Sequence, residues 1–142
     1  NRWLHPESYA RQRKIGIKLK VMAKLMEWQM KKGRFFIVEN PEDSEMWKLP
    51  WFQAIWKMGA CRAILFSQCA VGLKSPEGLP LLKWTTLWSN ARQILEQFVG
   101  LACQHRHGEH GDCKGTYAGE ARSKLAQVWP PLMSAKIVEG IR

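Results

Sequence analysis

Arg34-Phe35-Phe36-Ile37-Val38-Glu39-Asn40-Pro41 is the stretch on which the fold turns. Its apolar residues follow one another without polar alternation, the pattern of a strand covered by helices on both faces. It therefore predicts a central parallel strand. The run stops on Glu39-Asn40-Pro41, which sets a carboxylate and an amide at the carboxyl end of that strand, where open α/β sheets bind ligands. Upstream, Ile15, Leu19, Met22, Met26 and Met30 recur at spacings of four, three, four and four. That period predicts a helix over Ser8 to Lys32, with Ser8 capping its start, Lys31 and Lys32 facing the negative end of its dipole, and Gly33 terminating it. Downstream, Ser44 starts a short turn, Pro50 opens a helix over Trp51 to Met58, and Gly59 closes it. Cys61 to Cys69 then reads as a strand, completing a strand–helix–strand unit of right-handed sense.

Past the loop Gly72 to Pro80, the β-branched and aromatic stretch Leu81 to Trp88 predicts another strand. Ile94, Leu95, Phe98, Val99 and Ala102 suit one face of a helix over Ala91 to Ala102. A polar Gly/His loop runs to Gly119, and a final helix is expected over Pro131 to Glu139, because prolines are tolerated only in a first turn. The fold class is thus α/β, a partial Rossmann-like sheet flanked by helices.

At 142 residues the chain fits a single domain, 1–142, with 46% hydrophobic and 24% charged residues, a globular composition. The uncharged stretch Ala63 to Leu73 is too short and too polar to span a bilayer. The N-terminus lacks the apolar core of a signal peptide, and the absence of an initial Met points to a processed or partial chain. Four cysteines without a secretory signal suggest reduced thiols and an intracellular, reducing compartment, whether nucleus or cytoplasm.

The net charge of +10 makes nucleic acid a leading partner class. Arg13, Lys14, Lys18, Lys20 and Lys24 share the face of the first helix opposite its apolar stripe and could track phosphates, with Lys83 as a further contact. The alternative is a solvated face. Eight Trp could stack bases; the favoured alternative is that they pack a core or a protein interface. Cys103, His105, His107, His110 and Cys113 offer five zinc-type ligands in one short loop. Cys103, His105, His107 and Cys113 make the preferred set of two thiolates and two imidazoles, leaving His110 to solvent or an outer contact; the alternative is a polar surface loop. Cys61 and Cys69, in apolar surroundings, read as buried thiols.

The order Phe36-Ile37-Val38-Glu39-Asn40-Pro41, then Ser44 and Trp47, then Cys69 and Gly72-Leu73, is similar to cytosine-C5 DNA methyltransferases, with Pro41 standing where that family has Val. Ala126-Gln127-Val128-Trp129-Pro130-Pro131-Leu132 resembles the family's last motif. A closer resemblance is to methylase-like segments of algal retroelement-type polyproteins, carried by Gly33 to Phe36, Glu39 to Pro41, Lys83 to Thr85, His105 with His107, and Gly140-Ile141. The resemblance implies a class I methyltransferase-like fold in which Glu39, with Asn40, holds a flipped cytosine and assists a cysteine nucleophile. The family's Gly-rich donor turn, Pro-Pro-Cys and Gln-x-Arg-x-Arg motifs do not occur in this chain.

Two functions are compatible with these readings. One is a non-catalytic basic interaction module that needs no cofactor beyond a possible zinc ion and binds a partner protein or nucleic acid in a larger assembly. The other is the C-terminal part of a DNA cytosine methyltransferase, using S-adenosylmethionine only when completed by an N-terminal half.

Overall fold

The computed structural model describes residues 6–106 and 108–142. In chain order the elements are α1 (Pro6–Lys31), β1 (Ile37–Pro41), a 3₁₀ turn (Glu45–Lys48), α2 (Pro50–Lys57), β2 (Arg62–Ser67), a second 3₁₀ turn (Gln68–Val71), β3 (Trp84–Ser89), α3 (Arg92–Glu96), β4 (Thr116–Tyr117), β5 (Glu120–Ala121), α4 (Arg122–Leu125) and α5 (Pro131–Ile141). The chain is mixed α/β. Its main sheet has three strands in the order β1-β3-β2, both pairings antiparallel.

This corrects the expected sheet. β1 is an edge strand, and its neighbour β3 runs antiparallel to it, with Ile37 opposite Ser89 and Pro41 opposite Thr85. β1 and β2 do run parallel to one another, as their helical connection through α2 requires, but β3 later fills the position between them. No open parallel sheet is formed among the described residues. The apolar run is covered on both faces only in part: every residue of β1 is half-buried, and Phe35 is 57% exposed. Phe36 and Val38 pack into a cluster with Ala23, Met26, Trp47, Phe52, Ile55 and Trp88, whereas Ile37 packs against Phe66, Leu87, Ile94, Phe98, Met133 and Ile137. Helices α1 and α2 cover one face of the sheet and α3 with α5 the other. Neither face records whether a strand is central or at an edge. Pro41, which has no N–H to donate, is acceptable at the end of an edge strand.

Local chemistry sets several boundaries. Ser44 Oγ accepts from the Met46 N–H at 3.2 Å and caps the first 3₁₀ turn. Pro50 occupies the first turn of α2, and Gly33 and Gly59 take φ of +65° and +73° after α1 and α2. Ser8 does not cap α1, which begins at Pro6 and already contains it. Helix α3 is shorter than its apolar pattern, because the chain leaves it as a turn that buries Phe98, exposes Val99 and reverses at Gly100 with φ +75°. The two-residue hairpin β4–β5, turning at Ala118 and Gly119 with positive φ, lies in what the sequence suggested was plain loop.

Candidate metal centre and adjoining acidic cleft

Cys69 lies in the 3₁₀ turn that follows β2 and is buried. The loop after α3 is pinned beside it, because the Ser67 N–H donates to the Leu101 carbonyl at 3.1 Å. Two residues further on comes Cys103. A turn then closes by two hydrogen bonds between Arg106 and Glu109, one to the Glu109 carboxylate at 2.9 Å and one from the Glu109 N–H at 3.2 Å. It brings His110 back, so that Cys103 Sγ sits 3.2 Å from His110 Nε2 and 3.6 Å from His105 Nδ1. One ligand atom from each of Cys69, Cys103, His105 and His110 lies within 4.8 Å of the others.

Tetrahedral zinc with two sulfur and two nitrogen ligands holds them about 3.3–3.8 Å apart, as its bond lengths dictate. The widest separations would have to close by up to about 1.5 Å, while the 3.2 Å Cys103–His110 approach would open slightly. Burial pushes the Cys69 thiol above its ordinary pKa, the Ser67 hydroxyl pulling the other way and the neighbouring Cys103 adding to the rise. A dication at this point would reverse that balance and favour thiolates. The Cys/His cluster can hold a metal ion.

Of the four ligands singled out from sequence, the structure brings Cys103 and His105 together. His107 lies outside the described residues. Cys113 is elsewhere: it packs against Leu73, Leu81 and Ala126, where burial raises its pKa and Lys83 opposes the rise. Cys69 and His110, set aside as a buried thiol and a solvent contact, take part instead. Cys61 is a buried thiol in the aromatic cluster, pushed up to about 11 by burial.

Cys113 belongs to a cleft of about 710 Å³ whose walls include Glu39, Asn40, Lys83 and Trp84. Glu39 is largely enclosed and meets three donors: buried Gln68 Nε2 at 3.1 Å, Trp129 Nε1 at 3.2 Å and Lys83 Nζ at 3.3 Å. Gln68 also donates to Thr85 Oγ1 at 3.0 Å. Asn40 points its amide at Ser44 Oγ, 2.8 Å away, and so supports the turn after β1. Lys83 pairs with Glu39, whereas Arg13, Lys14, Lys18, Lys20 and Lys24 are all exposed along α1.

The tryptophans divide between core and surface. Trp47 stacks on Trp88 with centroids 4.7 Å apart, and Trp56 lies 4.9 Å from Trp88. Trp47 and Trp88 are buried, and Trp28, Trp56 and Trp84 remain substantially exposed. No helix among the described residues is long and apolar enough to cross a membrane. Comparison with protein-family models, with curated proteins and with solved structures finds no match for this chain.

Proposed function

We propose that this chain is a non-catalytic, basic binding module of a larger assembly, stapled by one zinc ion. The observation that supports it is the convergence of Cys69 with Cys103, His105 and His110. Ligands from two distant segments joined on one ion would tie the end of β2 to the long loop after α3, which otherwise has little regular structure to hold it. Two thiolates and two imidazoles complete zinc's coordination and leave no open position for chemistry, which is the character of a structural site. The positive charge along α1 would then face an anionic partner.

Protein purified without a His tag should carry about one equivalent of zinc by elemental analysis, and chelation should lower its melting temperature. Cys69→Ser and Cys103→Ser should each abolish stoichiometric zinc, whereas Cys113→Ser should retain it. Less than about a tenth of an equivalent, with melting indifferent to chelator, would sink the reading.

The second reading, the C-terminal part of a cytosine methyltransferase-like enzyme, is favoured by one observation: Glu39 is held by three donors at the wall of a cleft. The residues that would bind the methyl donor and supply the nucleophile are not in this sequence. The chain alone should therefore show no heat of binding to S-adenosylmethionine in calorimetry, and micromolar binding would revive an enzymatic role.

A further inference from the structure

Helix α1 has 26 residues and so runs about 39 Å at 1.5 Å per residue. Its inner stripe, Leu19, Met22, Ala23, Met26 and Met30, covers the Trp47–Trp88 cluster. Its outer side carries a second apolar stripe that, among the described residues, is covered only where the Arg34 guanidinium lies over the Trp28 ring, 5.1 Å from its centroid. Ile17, Val21, Leu25 and Trp28 are 58%, 52%, 56% and 47% exposed. At 100° per residue they fall within an arc of about 80° on the side away from the core. Lys14 stands within that arc and Lys18 and Lys24 border it. Glu27 lies roughly 100° round the helix and is paired with Lys31 at 2.6 Å. No carboxylate faces the stripe from α1 itself beyond the first turn.

The first turns add a second observation. From Glu7 to Ile15 every described side chain is exposed, so this part of α1 projects past the body of the fold. Helical segments without tertiary packing are marginal in water, and a projecting arm gains stability when a partner covers it.

We propose that the outer face of α1 docks an acidic amphipathic helix of a partner protein. Charge selects this occupant. A second copy packed through the same stripe would set lysines against lysines with only the first-turn Glu7 of each copy to offset them. Duplex nucleic acid would satisfy the lysines but leave Ile17, Val21 and Leu25 without contacts. A lipid surface calls for a broad apolar face, whereas this stripe is narrow and has Lys14 inside it. A helix with apolar residues at matching spacing, flanked by Asp and Glu, satisfies both the stripe and its cationic borders. The proposal specifies the partner of the binding module argued above, and it does not depend on the metal.

The test is fluorescence anisotropy of the full chain with a panel of labelled acidic amphipathic peptides, each about three heptads long, in both orientations. Anionic vesicles of phosphatidylcholine and phosphatidylserine, and a duplex DNA, serve as parallel probes. Peptide binding should fall about tenfold or more in Val21→Ser/Trp28→Ser, and, because Trp28 also carries the Arg34 contact, Ile17→Ser/Val21→Ser, which removes two mostly exposed side chains, should show a comparable loss with melting little changed. Lys18→Glu/Lys24→Glu should weaken it as well and flatten its salt dependence. Failure of the whole panel, or binding that is unaltered in Val21→Ser/Trp28→Ser, overturns the proposal. So does vesicle binding that depends on Val21 and Trp28 without peptide binding. Zinc content reports separately on the module, so loss of one reading is distinguishable from loss of the other.

Discussion

Glu39 and Cys69 show what a residue's sequence neighbours can and cannot disclose. A carboxylate ending an apolar run reads as a group with a task, and in the fold it is the meeting point of three donors. Its partners Gln68 and Trp129 are 29 and 90 residues away, with no local signal linking them to it. Cys69 is embedded among residues that bury, and it is buried. What the sequence hides is the other side of its thiol, where Cys103, His105 and His110 arrive from a loop positioned by one backbone hydrogen bond to Ser67. The short spacing of Cys103 and His105 makes that half of the cluster legible, since a loop that tight must keep them near each other. Cys113 is equally near in sequence but is drawn into the apolar contact of Leu73, Leu81 and Ala126, and local spacing carries no account of that competition. At this scale the candidate site was half legible, and the missing half is long-range.

Elements were more legible than their arrangement, because periodicity reports which faces are buried and not which element does the burying. The five-residue stripe of α1 was visible, and four of its members pack on the aromatic cluster while Ile15 remains 49% exposed. The apolar run around β1 is partly covered on both faces, with Phe35 left exposed, and strand order depends on β3, some 45 residues later, entering between β1 and β2. The packing of α5 on α3, which buries Met133 and Ile137 against Ile94 and Phe98, includes a close backbone approach at one glycine. A methyl group at Gly140 would lie 2.5 Å from Ile94 Cα and 2.8 Å from the Gln93 carbonyl oxygen, both backbone atoms that cannot swing aside. Gly140→Ala should therefore cost about 1–3 kcal/mol despite improving helix propensity. Gly16, within α1, has nothing within 4 Å of the same position, and Gly16→Ala should stabilise by about 0.5–1 kcal/mol. Denaturant midpoints of the two variants should move in opposite directions, and an unchanged or raised midpoint in Gly140→Ala would show that α5 does not seat on α3 in this way.

Across the whole molecule, charge and burial are segregated. Cations line the outer surface of α1, the cleft gathers Glu39, Glu42 and Asp43 around Lys83, and the two faces of the sheet are apolar. Among the buried residues of the aromatic cluster one is ionisable, Cys61, 1% exposed beside Trp47, Phe52 and Trp88. Burial raises its pKa from 9.0 to about 11, with Arg62 pulling weakly the other way. The sign of the stability effect follows from proton count. Below pH 9 the thiol is protonated in both the folded and unfolded chain, and its contribution is complete. Between about 9 and about 11 the unfolded chain releases the proton while the folded chain still holds it, so stability falls as pH rises and levels off above the upper value. Chemical denaturation at a series of pH values should show this alkaline decline, and Cys61→Ala, whatever its cavity costs at neutral pH, should lose less stability across the same window. Equal decline in both proteins would mean that Cys61 is already solvated in the fold, and that the Trp47–Trp88 face of the sheet is open to water.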